Sequence, residues 1–121
     1  MSDQYYGYVR PQESGNKSDV RTFAVYDKLT GNGLQFVSVA PMECSALNYL
    51  VEDLDDGRVK DHKWGHHSGD LVERDLVQVH IQQRQFGLGC VNSWGAWPMQ
   101  KYQLPYGDYD FTFMIKPYTK Q

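Results

Sequence analysis

Hydrophobic and polar residues alternate along several short segments, and this period of two constrains the fold more than any other feature of the sequence. In the clearest segment, residues 76–83, every second side chain is apolar: Val77, Val79 and Ile81. Comparable segments predict strands at residues 20–27, 34–40 and 109–116. The pattern therefore predicts an all-β chain of four or five antiparallel strands, a β-sandwich.

Turn and breaker residues separate these segments. Residues 30–33, Thr-Gly-Asn-Gly, predict a hairpin because Asn and Gly accept the positive φ that tight turns need. Pro41 and Pro117 are expected to end the strands that precede them. Residues 45–54 carry apolar side chains at helical spacing and predict one short helix, which residues 55–57 would end.

The size and charge of the chain narrow its class. Its 121 residues fit one domain, and its net charge of −3 provides no basic surface for a nucleic acid. No apolar run approaches the ~20 residues of a membrane span, and the first residues do not resemble a signal peptide. We therefore expect a soluble protein with no nucleic acid or membrane partner, its compartment (cytoplasm or periplasm) being left open. Cys44 and Cys90 make no disulfide framework. A single bridge between them is one alternative, but we expect both to be small buried thiols.

A glycine-rich segment, residues 85–95, follows the clearest strand and is expected to be a loop at the end of the sheet. On such a loop Trp94 either caps the core or presents a flat ring with one N–H donor to a ligand. If that ligand is a sugar, Asn92 and Ser93 stand beside the ring to bond its hydroxyl groups. Two later aromatic residues are expected to pack beneath the loop: Trp97 and Tyr102.

A second group of chemistry-bearing residues lies between the predicted helix and the clearest strand: His62, His66 and His67, with Asp61 and Asp70. Imidazole and carboxylate groups bind zinc, but a His-x-x-x-His spacing aligns its ligands only on a helix, and Gly65 and Gly69 indicate a loop. We therefore favour a solvated loop over a metal site. No spacing pairs a cysteine with a histidine as nucleophile and base, and the glycine-rich segment contains no carboxylate. A complete catalytic site is not expected within the chain.

Four segments follow one another in an order that is specific in combination: residues 8–16 with 19–21, 67–71, 85–89 and 92–95. They contain Pro-Gln-Glu-Ser-Gly with a downstream Arg, His-Ser-Gly-Asp-Leu, Gln-Phe-Gly-Leu-Gly and Asn-Ser-Trp-Gly. These segments resemble the small-chain domain, the last domain, of the large β-galactosidases of glycoside hydrolase family 2. The chain departs from the family pattern at residues 90–91, Cys-Val where Gly-Asp is common, and at Gln82, where an acid is common.

The resemblance implies a β-sandwich of the galactose-mutarotase-like type that completes a site housed elsewhere. In this family the Trp of the Ser-Trp segment, here Trp94, lies at the edge of an active site in a separate (β/α)8 barrel. The barrel carries the two catalytic glutamates and the ligands of the Mg²⁺ and Na⁺ ions that family enzymes use. We therefore expect no cofactor and no metal in this chain, and a galactoside as substrate of the full enzyme.

The resemblance also implies how the chain relates to the family's domain. The resemblance covers residues 8–117. It implies that residues 1–121 are the C-terminal part of that domain, and that residues 1–7 are a linker or a start added before it. We expect a non-catalytic segment of a β-galactosidase, inactive alone, with a freestanding carbohydrate-binding module or a structural, oligomerisation domain as alternatives. Because part of a larger sandwich leaves an uncovered edge or face, we also expect a homo-oligomer.

Overall fold

The computed structural model describes residues 2–9, 11–54, 67–89 and 95–121. Four strands account for most of its regular structure: β1 (Lys17–Tyr26), β2 (Asn32–Leu47), β3 (Gln78–Gln82) and β4 (Met114–Thr119). One short helix, α1 (Val51–Leu54), and three single 3₁₀ turns complete it: Ser2–Gln4, Ser68–Asp70 and Gln100–Tyr102. The predicted all-β class with one short helix is confirmed. No helix in the described part of the chain has the length and hydrophobicity needed to cross a membrane.

Strand β2 is the centre of the sheet. The strand order is β1-β2-β3, and β4 also pairs with β2. The β2–β4 pairing is antiparallel and runs from Asn32 opposite Thr119 to Val37 opposite Met114. Residues that lie opposite each other in an antiparallel pair share a face of the sheet.

The turn between β1 and β2 is the predicted hairpin, and its closure depends on Asp27 and Gly31. The Asp27 N–H donates to the Asn32 carbonyl at 2.9 Å, and the Gly31 N–H donates to the Asp27 carbonyl at 2.9 Å. Gly31 has a φ of 73°, which a residue with a Cβ adopts only with strain. The Asp27 Oδ1 accepts the N–H groups of Leu29 and Thr30 at 3.0 and 2.7 Å, which fixes the turn residues themselves.

The chain divides into two compact units. The first unit contains residues 1–17 and 44–81, and the second contains residues 18–43 and 82–121. Among the described residues of the first unit, four side chains are buried: Pro11, Cys44, Leu47 and Leu54. In the second unit, Phe36, Ser38 and Met42 are buried, and the Phe36 ring stacks on that of Phe23 with centroids 4.7 Å apart. Each unit therefore has a small core of its own.

The two prolines do not end their strands as the sequence predicted. Strand β2 continues through Pro41 to Leu47, and β4 continues through Pro117 to Thr119. Pro117 lies opposite Leu34 in the pairing of β4 with β2. Among the described strands β4 pairs with β2 alone, and a proline is tolerated at such an edge because its missing N–H faces away from the neighbouring strand. The predicted strand at residues 109–116 accordingly begins later and ends later.

The predicted helix at residues 45–54 is wrong in its first half. Residues 45–47 extend β2, and α1 contains only Val51–Leu54. The apolar spacing that suggested a helix is satisfied instead by burial of Leu47 in the strand and of Leu54 in α1. Pairing within the sheet therefore overrides local helical periodicity.

Strand β3 does not show the two-faced pattern that its sequence predicts. All five residues of Gln78–Gln82 are half-buried, whether polar or apolar. When both faces of a strand are partly covered, the side chains on the two faces are exposed to a similar extent. The alternation of polar and apolar residues nevertheless predicted this strand correctly. Cys44 is a free, buried thiol, as expected; Cys90 lies outside the described residues.

Candidate functional site

The predicted sugar-contacting residues lie in a part of the chain that the structure does not describe. Asn92, Ser93 and Trp94 fall within residues 90–94, outside the described ranges. Both flanks of this segment are described, however, and both belong to the second unit. The candidate site is therefore built from its flanks.

The two flanks of residues 90–94 lie in contact. The Gly87 N–H donates to the Tyr102 carbonyl at 2.7 Å. A Cβ on Gly87 would lie 2.6 Å from the Tyr102 Cβ and 3.2 Å from the Pro98 Cβ. A Cβ on Gly89 would collide with the carbonyl oxygen of Ala96. The glycines of the Gly-x-Gly sequence thus allow a closeness of approach that no other residue type would permit.

Further hydrogen bonds fix the flank that follows Trp94. The Gln103 amide donates to the Pro98 carbonyl at 2.7 Å, and Pro98 is buried. The Gln100–Tyr102 turn closes through the Tyr102 N–H, which donates to the Met99 carbonyl at 2.8 Å. The backbone of this flank is therefore held by the Gln100–Tyr102 turn, by the buried Pro98 and by the hydrogen bond from Gln103.

Trp97 does not pack beneath the loop, contrary to the prediction. Its side chain is 73% exposed, and its ring meets that of Phe86 edge to face, with centroids 5.7 Å apart and planes at 78°. The Tyr102 side chain is 50% exposed, with the Lys101 ammonium 4.6 Å from its ring centroid. Trp97 lies between Ala96 and Pro98, in a turn-rich stretch that lacks the alternation of a strand. This sequence context is the feature from which an exposed position of Trp97 could have been predicted.

The other two motif segments meet in the first unit. The Ser68 hydroxyl donates to the Tyr8 carbonyl, which joins residues 67–71 to residues 8–16. Oε1 of Glu13, from the Pro-Gln-Glu sequence, lies 3.4 Å from Nδ1 of His80. These contacts join residues 8–16 to residues 67–71 and to β3 within the first unit.

The predicted histidine cluster is described only in part. His62, His66 and Asp61 lie outside the described residues. The His67 N–H donates to the Asp70 Oδ2 at 2.8 Å, and the Asp70 N–H donates to the His67 carbonyl at 2.8 Å. Within the described ranges, no group of three or more His, Cys, Asp or Glu side chains could hold a metal ion.

A polar cleft of about 310 Å³ lies in the first unit, lined by residues 70–74 and Asp53. Two of its charged side chains, Asp53 and Arg74, form an ion pair within the fold. The Arg74 guanidinium donates to both carboxylate oxygens of Asp53 at 2.6 Å, and Asp53 Oδ2 also accepts the Leu50 N–H at 2.9 Å. The hydrogen bond and the charge of Asp53 raise the pKa of Arg74. The ion pair therefore connects α1, which contains Asp53, to the segment that precedes β3, which contains Arg74.

The surroundings of the buried Cys44 thiol do not activate it on balance. Burial raises the pKa of Cys44, and the charge of Lys17 opposes this only in part. A thiol whose pKa is raised stays protonated at neutral pH and is a poor nucleophile. This agrees with the absence of a nucleophile–base spacing in the sequence.

Comparison with known proteins gives one consistent result. A family model described as beta galactosidase small chain matches residues 1–115. The chain is 34% identical over 112 residues to a β-galactosidase of Streptococcus thermophilus and 32% identical over 116 residues to one of Halalkalibacterium halodurans. A β-galactosidase of Priestia megaterium is 34% identical over 119 residues.

The matches cover the chain and a small share of the relatives. They span 91%, 95% and 97% of this chain, respectively, and 10% of each relative. The chain thus spans about a tenth of the length of the curated relatives it matches. No solved structure matches it. On the strength of the family match over residues 1–115, the chain belongs to the β-galactosidase small-chain family.

Proposed function

We propose that this chain is a non-catalytic, C-terminal segment of a β-galactosidase that hydrolyses terminal β-galactosides. In this proposal Trp94, with Asn92 and Ser93 beside it, completes the sugar site of a catalytic domain elsewhere in the enzyme. The observation that carries the proposal is the family match over residues 1–115, combined with a span of only 10% of each relative.

Several carboxylates of the described residues have roles within the fold. Glycosidases use two carboxyl groups that face each other across the scissile bond, about 5–9.5 Å apart. Four carboxylates have hydrogen-bond or ion-pair partners within the fold: Glu13, Asp27, Asp53 and Asp70. We therefore assign these four carboxylates to contacts within the fold and not to a catalytic pair.

The flanks of residues 90–94 support the role of Trp94. Gly95, its direct neighbour, precedes Ala96, whose carbonyl is in contact with Gly89. The described backbone on both sides of residues 90–94 is thus held by contacts within the unit, and loops carried on such a frame are frequent sites of binding residues. A flat ring stacks on the C–H face of a sugar, while neighbouring amide and hydroxyl groups bond its hydroxyls.

The test uses the complete enzyme that contains this segment and the chain by itself. The isolated chain should not hydrolyse a chromogenic β-galactoside. In the complete enzyme, Trp94→Ala should raise KM by about tenfold or more, in line with aromatic hot spots of roughly 1–3 kcal/mol. Tyr106→Ala removes a fully exposed ring of the same unit and is the matched control, with KM expected to stay unchanged.

Two outcomes would contradict the proposal. Turnover by the pure chain would show that it carries a catalytic site. Unchanged kinetics of the Trp94→Ala enzyme would remove Trp94 from the sugar site. Calorimetric titration of the isolated chain with galactose and lactose distinguishes the proposal from the alternative of a freestanding carbohydrate-binding module. Tight binding by the chain alone would indicate such a module.

A further inference from the structure

A connected set of polar contacts in the first unit links the start of α1 to β3 and to residues 8–16. Nδ1 of His80 lies 3.4 Å from Oε1 of Glu13, and Nε2 of His80 lies 2.8 Å from Nε2 of the Gln78 side chain. Oε1 of Gln78 accepts the N–H of Val51, the first residue of α1, at 3.1 Å. Because His80 and Gln78 both lie on β3, these four residues, which we call the His80 network, attach α1 to that strand.

The partners of His80 determine which of its nitrogens carries the proton. The Val51 N–H can only donate, so the atom of Gln78 that faces it is the carbonyl oxygen. The other end of the Gln78 amide is then the NH2 group, which also can only donate. Nε2 of His80 must therefore accept from Gln78, and we assign the single proton of the neutral ring to Nδ1, which faces Glu13.

A second proton on His80 is incompatible with this arrangement. A protonated Nε2 would be a donor that faces the NH2 donor of Gln78. Rotation of the Gln78 amide gives the charged ring an acceptor, but it turns the NH2 group towards the Val51 N–H. A hydrogen bond from a charged donor is about twice as strong as one from a neutral donor, so the oxygen of Gln78 is expected to face His80 rather than Val51. The Glu13 carboxylate attracts the same charged ring.

The surroundings of His80 allow it to take up a proton near neutral pH. Its side chain is 26% exposed, so solvent reaches it, and histidine is the side chain that ordinarily changes charge between about pH 5 and 8. Of the described residues that line a small cavity with His80, two others titrate: Glu13 and Tyr49. Burial and the electrostatic effects of Glu73 and Tyr5 raise the pKa of Tyr49, so its hydroxyl stays uncharged in this range. Strand β2 and α1 contribute uncharged side chains to this cavity: Ser45, Leu47, Val51 and Leu54.

We propose that His80 is a pH-sensitive switch that controls the attachment of α1 to β3. When His80 is neutral, it accepts from the Gln78 NH2 group, and the Gln78 oxygen holds the Val51 N–H. When a proton from solvent binds Nε2, the ring takes the Gln78 oxygen and the Glu13 carboxylate as its partners, and Val51 loses its acceptor. The start of α1 is then released from β3. This switch does not depend on the proposed function.

The test is the pH dependence of amide hydrogen exchange in the 121-residue chain, followed by NMR. Dividing the exchange rates of unstructured peptides at each pH by the measured rates gives a protection factor for each N–H. The protection factor of the Val51 N–H should fall about fivefold between about pH 8 and pH 5, as expected for the loss of one hydrogen bond, with the same midpoint as the His80 ring titration. The Leu50 N–H donates to Oδ2 of Asp53 at 2.9 Å and should keep its protection factor. The ¹⁵N shifts of the neutral His80 ring should show the proton on Nδ1.

Three variants identify the groups responsible. His80→Gln cannot titrate and should make the protection of Val51 independent of pH in this range. His67→Gln removes another described histidine of the first unit and is the matched control, expected to behave as the wild-type chain. Glu13→Gln removes the carboxylate that attracts the charged ring and should move the midpoint to lower pH.

Four results would overturn the proposal. In the wild-type chain, these are a constant protection of Val51 across the pH range and a neutral His80 ring with its proton on Nε2. Both measurements are independent of how any variant folds. In the variants, they are a fall in Val51 protection that persists in His80→Gln and a midpoint that does not move in Glu13→Gln.

Discussion

Gly89 approaches Ala96 so closely that a single added methyl group would have to move the backbone. The carbonyl oxygen that a Cβ would meet belongs to the main chain, which cannot swing aside as a flexible side chain can. Gly89→Ala should therefore lower the free energy of unfolding by about 1–3 kcal/mol, the usual range for overpacking. Urea unfolding followed by tryptophan fluorescence measures this change.

Gly107 is the control for this prediction. It lies in the same unit, and a Cβ there would meet no atom within 4 Å. Gly107→Ala should be neutral or stabilise by up to about 1 kcal/mol, because alanine reduces the freedom of the unfolded chain. Equal stability of the Gly89→Ala and Gly107→Ala chains would show that the contact with Ala96 is not rigid.

Asp27 makes the hairpin between β1 and β2 sensitive to acid. Hydrogen bonds from the Thr30 N–H, the Thr30 hydroxyl and the Leu29 N–H lower the pKa of Asp27. Because the folded carboxyl binds its proton more weakly than the unfolded one, its stabilising effect is fully present above the unfolded pKa. The effect is lost as the pH falls through the lower, folded pKa.

The Asp27→Asn variant tests this prediction. The wild-type chain should be the more stable at neutral pH, and the difference should shrink in the acid range below about pH 4. Unfolding by urea at a series of pH values gives the difference, and a carboxyl NMR titration gives the direction of the pKa shift directly. A difference that stays constant with pH would contradict the assignment.

At the scale of the elements, Phe36 joins three strands into the core of the second unit. It is 6% exposed, stacks on Phe23 of β1 and lies opposite Ile115 of β4. Phe36→Ala should cost about 3–5 kcal/mol of unfolding free energy through lost burial and the resulting cavity. Ile115→Ala should cost less than about 1 kcal/mol, because Ile115 is 54% exposed.

Val39 is the control on the same strand. It is 95% exposed, so Val39→Ala should leave the stability nearly unchanged. Thermal or urea unfolding of the three variants provides the comparison. Similar losses for Phe36→Ala and Ile115→Ala would mean that the core of this unit is not centred on Phe36.

The elements also show where sequence patterns suffice and where they do not. Alternation predicted the strands and residues 30–33 predicted the hairpin, because both signals are local. The strand ends predicted at Pro41 and Pro117 are wrong. Whether a strand tolerates a proline depends on which of its sides has a neighbouring strand, and the sequence does not show this. The stretch at residues 45–47 became strand because β2 continues there, which no local helical spacing could reveal.

The same distinction applies to the candidate site. The glycines at 87 and 89 predicted a loop at the end of a strand, and the contacts with Tyr102 and Ala96 explain why glycine is needed. The exposure of Trp97 was not predicted, because aromatic residues are more often buried and composition alone cannot tell the two cases apart. The role of Trp94 stays a prediction.

At the scale of the whole molecule, the second unit leaves one side of its sheet partly uncovered. Leu34 and Ile115 share a face with Phe36 and are 49% and 54% exposed, and Pro117 lies opposite Leu34. A half-exposed apolar face of this kind favours association. We therefore predict that the isolated chain forms a homo-oligomer in solution.

Sedimentation velocity over a range of concentrations tests this prediction. Ile115→Lys should shift the chain towards monomer, because a charge on this face must be desolvated on association. Leu29→Lys, at a 96% exposed turn position of the same unit, should leave the distribution unchanged. A monomer at every concentration would contradict the prediction, and loss of association in both variants would place the interface elsewhere.

The meeting of Gly89 and Ala96 has a consequence for how such a protein can diversify. Because the backbone is in contact with itself at these two residues, any insert placed between them would begin and end at adjacent points. Doubling the length of a flexible insert costs only about 0.6 kcal/mol in closure entropy. Grafting inserts of other lengths between these two residues could therefore retune ligand preference while the sheet that supports them stays as it is.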